Sequence, residues 1–125
     1  MKKRLWITLL LAALSLWPAA CQGAGPSEGN PTLMFFWAEG CPFCEQVMPI
    51  VNEIEDDYGR RLDVIYVSQD EEQGRETAHE YGIVGTPTIL LLDRSGEPFQ
   101  VLRGTLPAAV VEQAVQDLLA MEAQN

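Results

Sequence analysis

Short apolar runs separated by longer amphipathic segments constrain the fold of this 125-residue chain more than any other feature of its sequence. Apolar runs of four to eight residues are typical of buried strands, whereas apolar residues spaced three and four apart are typical of helices. Strands are predicted at 33–38, 62–67, 88–93 and 98–102, and helices at 44–58, from about Glu71 to Gly82, and over 106–121. The predicted order is βαβαββα.

This order predicts an α/β fold with a central mixed four-stranded sheet flanked by helices. A helix that links two strands implies a parallel pair with a right-handed crossover. The turn sequence RSGE between the last two strands predicts an antiparallel hairpin. The length is that of one domain. Pro49 falls inside the first predicted helix and predicts a kink there.

The first twenty residues have the pattern of an export signal. Charged MKKR precedes the apolar stretch LWITLLLAALSLW, which is shorter than the span of about 20 residues that crosses a membrane. The small residues that follow lead to Cys21 and resemble the lipobox of bacterial lipoproteins, although Pro18 stands where that motif usually has leucine. The resemblance implies a lipidated Cys21. Export without lipidation and an uncleaved anchor are the alternatives.

These features predict three regions in the chain. Residues 1–20 are the signal peptide, residues 21–31 hold the lipidation site and a flexible linker rich in glycine and proline, and residues 32–125 form the domain. The protein is therefore expected to be exported to the bacterial periplasm or cell envelope and anchored to the membrane through Cys21.

Negative charge dominates the part of the chain that follows the signal. Beyond residue 20, five arginines stand against all 18 acidic residues. Such a surface repels the phosphate backbone, so we expect no nucleic-acid partner.

Two cysteines, Cys41 and Cys44, follow the first apolar run in the segment FWAEGCPFC. Cysteines at this spacing form a structural staple, a metal clip or a redox couple. The chain has three cysteines, and lipidation of Cys21 would leave Cys41 and Cys44 as the only pair.

The segment WAEGCPFC resembles the WAxxCxxC active-site segment of thioredoxins, which also have a proline at the position of Pro49. YGIVGTPT at 81–88 resembles the family segment that carries a cis-proline, here Pro87, and Gly104 matches the glycine before the last helix. The similarity covers about residues 32–120. It implies a thioredoxin fold and a thiol-disulfide oxidoreductase.

One position departs from the thioredoxin pattern. Phe35 stands where the family has a buried aspartate that accepts a proton from the second cysteine. This difference argues against the mechanism of a cytosolic reductase.

The resemblance implies that Cys41 is the nucleophile and Cys44 the resolving cysteine. At a helix start, unpaired N–H groups and the helix dipole favour a thiolate on Cys41. Positions i and i+3 of a helical turn also fall within the Cα separation of about 4.4–6.8 Å that a disulfide needs. We expect no metal and no cofactor besides this redox-active disulfide.

Supporting roles follow for five neighbours. Pro42 fixes the turn, and Phe43 adds apolar contact area near the sulfurs. Trp37 packs beside the site, or is an ordinary core aromatic. If Pro87 is cis, as the resemblance implies, Thr86 offers its backbone to an extended substrate.

The expected partners are protein thiols or disulfides and an unidentified redox partner, and the expected state is a monomer. Two other functions stay open: a Cu(I)-type metal carrier that uses both thiols and His79, and a non-catalytic binding domain stapled by the disulfide. A disulfide that closes so short a loop removes little conformational entropy from the unfolded chain, which argues against a purely stabilising role.

Glu39 and Glu45 flank the cysteines and either oppose thiolate formation or are simply solvated.

Overall fold

The computed structural model describes residues 29–125 and contains the predicted elements in the predicted order. They are β1 Thr32–Trp37, α1 Pro42–Tyr58, β2 Asp63–Ser68, α2 Glu72–Glu80, β3 Thr88–Leu92, β4 Pro98–Arg103 and α3 Ala108–Glu122. The α/β prediction is confirmed, with boundaries displaced by one or two residues. The predicted signal peptide and lipidation site lie outside the described residues. Within residues 29–125, no helix is long and apolar enough to cross a membrane.

The four strands form one mixed sheet in the order β2-β1-β3-β4. β1 pairs with β2 in parallel and with β3 in the antiparallel sense, and β3 and β4 form the predicted hairpin. At the carboxyl end of β1, Phe36 lies opposite Thr88, the first residue of β3. This register places the segment that follows β1 beside the segment that precedes β3, and those two segments carry the cysteines and Pro87.

One face of the sheet is covered by α1 and α3. Leu33 and Phe35 of β1 have no exposed surface and belong to the larger of two apolar clusters. The helices contribute the apolar positions of their inner faces: Val47, Val51 and Ile54 from α1, and Val111, Ala114, Val115 and Leu118 from α3. Val110, which the helical spacing assigned to the inner face, is instead 43% exposed. The neighbouring Val111 is only 1% exposed, so the inner face of α3 is centred on Val111, Val115 and Leu118, and Val110 lies at its edge.

α2 covers the other face of the sheet. Phe36 and Leu90 point to this side and form the smaller cluster with Ala78 of α2 and Ile83. The predicted stop at Gly82 is confirmed, because Gly82 has φ +66°, which favours glycine. The amide of Ile83 donates to the carbonyl of Ala78 at 2.8 Å, and this ends the helix with both apolar side chains buried.

The residues just before β1 contact the start of β2. Pro31 is buried, and its carbonyl accepts a hydrogen bond from the amide of Asp63 at 2.9 Å. The side chain of Asn30 donates to the carboxylate of Asp63 at 3.1 Å. The end of the segment that we assigned to the linker is therefore fastened to the start of β2.

Candidate active site

Cys41 and Cys44 lie where β1 passes into α1. A turn that contains Gly40, at φ +67°, separates the end of the strand from the start of the helix. The two cysteines are joined by a disulfide, and their Cα atoms are 5.2 Å apart. This separation is within the range that a disulfide needs, as the i, i+3 spacing predicted.

The helix begins at the cysteines, as predicted, two residues before its first apolar stretch, because Cys41 caps it. Cys41 has extended backbone angles and is the N-cap residue. Pro42 occupies the first helical position, where a backbone N–H would have no acceptor within the helix, so the missing N–H of proline costs no hydrogen bond. The Sγ atom of Cys41 accepts a hydrogen bond from the backbone amide of Cys44 at 3.2 Å. A sulfur that receives an amide at the positive end of a helix is stabilised as a thiolate.

The two sulfurs have unequal access to solvent. Cys41 is half-buried, whereas Cys44 is only 2% exposed and belongs to the apolar cluster under α1. An incoming disulfide can therefore reach Cys41 first.

The second segment of the site precedes β3. The Thr86–Pro87 peptide bond is cis, as the resemblance implied. Pro87 is buried, and its carbonyl accepts a hydrogen bond from the amide of Gly104 at 2.9 Å. The hydroxyl of Thr86 lies 3.8 Å from Sγ of Cys41 and donates to it. The sequence drew attention to the backbone of Thr86 and missed this side-chain contact.

A third segment supports the turn before the cysteines. The amide of Gln69 donates to the carbonyl of Trp37 at 2.8 Å, and the amide of Glu39 donates to the carboxylate of Asp70 at 2.7 Å. Asp70 was not identified from the sequence, although a signal existed. It follows β2, which is parallel to β1, and the carboxyl ends of parallel neighbours meet at one edge of a sheet.

A cavity of about 420 Å³ opens beside the disulfide, and we call it the disulfide cavity. Its lining residues are Trp37, Ala38, Glu39, Gly40, Cys41, Cys44, Glu45, Met48 and Pro49. Trp37 thus combines the two roles considered for it, since it also packs against the larger core cluster. Phe43 is not part of the lining and is 57% exposed on the outer surface.

Below the site, an aromatic pair occupies the place of the family's buried aspartate. Phe35 has no exposed surface and makes an edge-to-face contact with Tyr66, with ring centroids 6.2 Å apart. The hydroxyl of Tyr66 lies 2.9 Å from the carboxylate of Glu55. Burial, and next the hydrogen bond to Glu55, raise the pKa of Tyr66 to about 12. The hydroxyl thus keeps its proton at neutral pH, and Phe35 offers no proton acceptor to Cys44.

The metal-carrier hypothesis combines the two thiols with His79. His79 lies exposed on α2, and the two cysteines lie at the start of α1. In the described part of the chain, no group of three or more His, Cys, Asp or Glu side chains is arranged to hold a metal ion. Within residues 29–125, no such group brings His79 to the two thiols.

The contact between Thr86 and Cys41 leads to a prediction about the reduced protein. Thr86→Val removes the hydroxyl while keeping the shape of the side chain, so the Cys41 thiolate loses one hydrogen-bond donor. We expect alkylation of Cys41 by iodoacetamide at pH 6 to slow roughly two- to tenfold, which corresponds to about 0.5–1.5 kcal/mol for one hydrogen bond. Thr86→Ser is the matched control and should retain the native rate. Equal rates in all three proteins would show that the hydroxyl does not act on the thiolate.

Comparison with known proteins places the chain in a family. A family model described as a thioredoxin-like domain matches residues 24–119. Thioredoxin of Bacillus subtilis is 34% identical over 92 residues, which is 74% of this chain and 85% of that protein. Thioredoxin 1 of Nostoc sp. is 31% identical over 86 residues, which is 69% of this chain and 78% of that protein.

A third relative is much longer than this chain. A chloroplastic thioredoxin-like protein of Arabidopsis thaliana is 30% identical over 94 residues, which is 75% of this chain but only 36% of that protein. The similarity therefore concerns the domain that contains the cysteine pair. Because the family model spans most of the chain and the disulfide stands at the start of α1, the protein belongs to the thioredoxin-like domain family and is a thiol-disulfide oxidoreductase.

Proposed function

We propose that this protein is an envelope enzyme that exchanges disulfides with protein substrates, with Cys41 as the nucleophile and Cys44 as the resolving thiol. The asymmetry of the pair carries the proposal. Cys41 is half-buried, and its sulfur receives the amide of Cys44 at 3.2 Å and the hydroxyl of Thr86 at 3.8 Å. Cys44 is 2% exposed and cannot meet a large substrate first.

The exchange proceeds in two steps that transfer two electrons. In the reduced protein, the Cys41 thiolate attacks one sulfur of a substrate disulfide, which forms a mixed disulfide and releases the other substrate sulfur as a thiolate. Cys44 then loses its proton and attacks Sγ of Cys41. The second substrate sulfur leaves as a thiolate, and the Cys41–Cys44 disulfide forms. The reverse sequence oxidises a substrate dithiol.

Apolar surface beside Cys41 suits a polypeptide substrate. Phe43 is 57% exposed, and Val84, two residues before Thr86, is 90% exposed. Exposed apolar groups of this size, on the two segments that carry Cys41 and Thr86, provide contact area for an extended chain. The side chain of Thr86 contacts Sγ of Cys41, and the backbone of the same residue offers hydrogen-bonding groups to that chain.

The direction of electron flow depends on the reduction potential and on an unidentified redox partner. Position 35 carries no acid, and the aromatic pair of Phe35 and Tyr66 cannot accept the proton of the Cys44 thiol. Deprotonation of Cys44 is therefore slower than it would be beside a carboxylate. A potential below about −300 mV without any exchange activity would instead indicate the non-catalytic, stapled domain.

Insulin reduction tests the proposed activity. The purified domain should accelerate the reduction of insulin by dithiothreitol, measured as the turbidity of the precipitated B chain. The Cys41–Cys44 potential should be determined on the same sample against glutathione buffers. An insulin reduction rate equal to that of dithiothreitol alone would contradict the proposal.

The proposed location depends on the sequence that precedes the domain. We propose that residues 1–20 are an export signal, that residues 21–31 tether the domain through a lipidated Cys21, and that residues 32–125 act as a monomeric domain at the membrane surface. The linker composition and the small residues before Cys21 support this organisation.

Lipidation predicts a change in fractionation. When the full chain is expressed in a bacterium, we expect it in the membrane fraction with incorporated radiolabelled palmitate. Cys21→Ser should remove the label and transfer the protein away from the lipoprotein fraction, because serine cannot form the thioether to diacylglycerol. A wild-type chain that carries no label would contradict lipidation, whereas membrane association of unlabelled protein would point to the uncleaved anchor.

A further inference from the structure

The disulfide cavity contains charged groups that the exchange reaction does not use. Its walls are apolar around the sulfurs, with Trp37, Met48 and Pro49 among them. Besides the cysteines, the only titratable side chains among the described lining residues are Glu39 and Glu45, and both are exposed to solvent. The result is an apolar recess with two carboxylates at its mouth.

These carboxylates are not neutralised by the rest of the domain. Between the described residues 29–125, the one ion pair joins Arg94 to Glu122, and no arginine lines the disulfide cavity. Glu39 is also held in place, because its amide donates to the carboxylate of Asp70 at 2.7 Å. The guanidinium of Arg75 lies 2.8 Å from the backbone carbonyl of Asp70, so the negative charge beside the disulfide comes from Glu39 and Glu45. A negative potential therefore lies directly beside the reacting sulfur.

We propose that the disulfide cavity is a substrate-specificity subsite that takes a lysine or arginine side chain next to the reacting cysteine of a polypeptide. This inference rests on the proposed function and names a class of substrate for it. The aliphatic stem of the basic residue lies against Trp37 and Met48, and its charged end reaches Glu39 and Glu45 at the mouth. Long basic side chains bury their stems in this way while the charge stays in water.

The chemistry of the walls favours this occupant over others. An acidic residue next to the substrate cysteine would meet two uncompensated carboxylates, and like charges this close repel each other. A small polar residue would leave the apolar walls uncovered. The volume of about 420 Å³ accommodates one long side chain and the water around its charged end.

Four synthetic peptide disulfides test the subsite. They share one sequence and differ only in the residue on both sides of the cysteine, which is lysine, norleucine, alanine or glutamate. Norleucine has the stem of lysine without the ammonium group. The second-order rate constant with the reduced protein is measured for each peptide at low salt and divided by the rate constant of dithiothreitol with the same peptide, which cancels the intrinsic reactivity of the peptide disulfide.

We expect the normalised rate to be highest for lysine, intermediate for norleucine and lowest for glutamate, with norleucine faster than alanine because of the apolar walls. The ratio of lysine to norleucine should be about three- to fivefold, as is typical of exposed ion pairs, and should fall as salt is added. Equal rates for all four peptides would overturn the subsite while leaving the proposed function intact.

Matched double variants separate the local carboxylates from the overall negative charge. Glu39→Gln with Glu45→Gln should bring the ratio of lysine to norleucine close to one. Glu53→Gln with Glu76→Gln changes the net charge equally at exposed positions outside the disulfide cavity and should leave the ratio unchanged. An equal fall in both double variants would overturn the subsite and assign the preference to long-range attraction. A protein that reduces none of the peptides would overturn the proposed function, and the subsite with it.

Discussion

Cys41→Ser abolishes the acceleration of insulin reduction, and Cys44→Ser accumulates a mixed disulfide with the substrate. These are the expected results of the two substitutions. A hydroxyl at the start of α1 stays protonated at neutral pH and cannot attack a disulfide, whereas the thiolate can. Without Cys44, the first exchange still occurs at the half-buried Cys41, but residues 29–125 then hold no second thiol to release the substrate.

The assay is turbidity for activity and a non-reducing gel with mass spectrometry for the trapped complex. Val110→Ala serves as a control, because it alters an exposed apolar side chain of α3 and leaves both thiols and the residues beside them in place. We expect it to retain most of the activity. Equal turnover by Cys41→Ser and the wild type would exclude Cys41 as the nucleophile. A mixed disulfide formed through Cys44 in the Cys41→Ser protein would reverse the two roles.

Gly74→Ala is expected to destabilise the fold strongly, although alanine is the better helix former. Gly74 is buried where α2 crosses the end of β2, and a Cβ atom there would lie 1.8 Å from the carbonyl oxygen of Ser68 and 2.8 Å from its carbon. The helical preference of alanine contributes about 1 kcal/mol. Relief of the overlap requires α2 or the last residue of β2 to move, which costs about 1–3 kcal/mol or more.

The overlap should outweigh the helical preference, because the clashing atom belongs to the backbone and cannot rotate away. We expect a net loss in the free energy of unfolding and a melting temperature lower by several degrees, since about 1 kcal/mol shifts a domain of this size by roughly 4–8 °C. Gly85→Ala is the matched control. A Cβ atom at Gly85 has no neighbour within 4 Å, so its melting temperature should stay close to that of the wild type. A Gly74→Ala protein as stable as the Gly85→Ala protein would show that α2 is free to shift.

The sequence predicted the elements well because each one is encoded locally. The apolar residues of α1 recur at the helical spacing, and Val47, Val51 and Ile54 are buried as that spacing requires. Gly82 ends α2 because its positive φ suits glycine. The start of α1 at the cysteines was predicted as well, although the apolar pattern, which begins at residue 44, carries no information about Cys41 as a capping residue. A kink at Pro49 remains a prediction.

The candidate site was predictable only in part. The spacing of Cys41 and Cys44 indicated a disulfide, because three residues of helix fix their separation whatever surrounds them. The hydrogen bond from the Thr86 hydroxyl to Cys41 and the hydrogen bond from the Glu39 amide to Asp70 could not be predicted from local spacing. In each bond the two partners lie about 30 to 45 residues apart in the chain, and their distance depends on how the strands pair.

By itself, the sequence determined the order βαβαββα, the two faces of each helix, and a reactive cysteine pair at the first junction of strand and helix. These follow from local periodicity and from short-range geometry within one turn. Only the tertiary structure decided what surrounds the sulfur of Cys41. The parallel pairing of β1 with β2 brings Asp70 to the turn, and the antiparallel pairing of β1 with β3 brings Thr86 and Pro87 to the disulfide. Strand register decides these contacts, because residues far apart in the chain meet only once the sheet has formed.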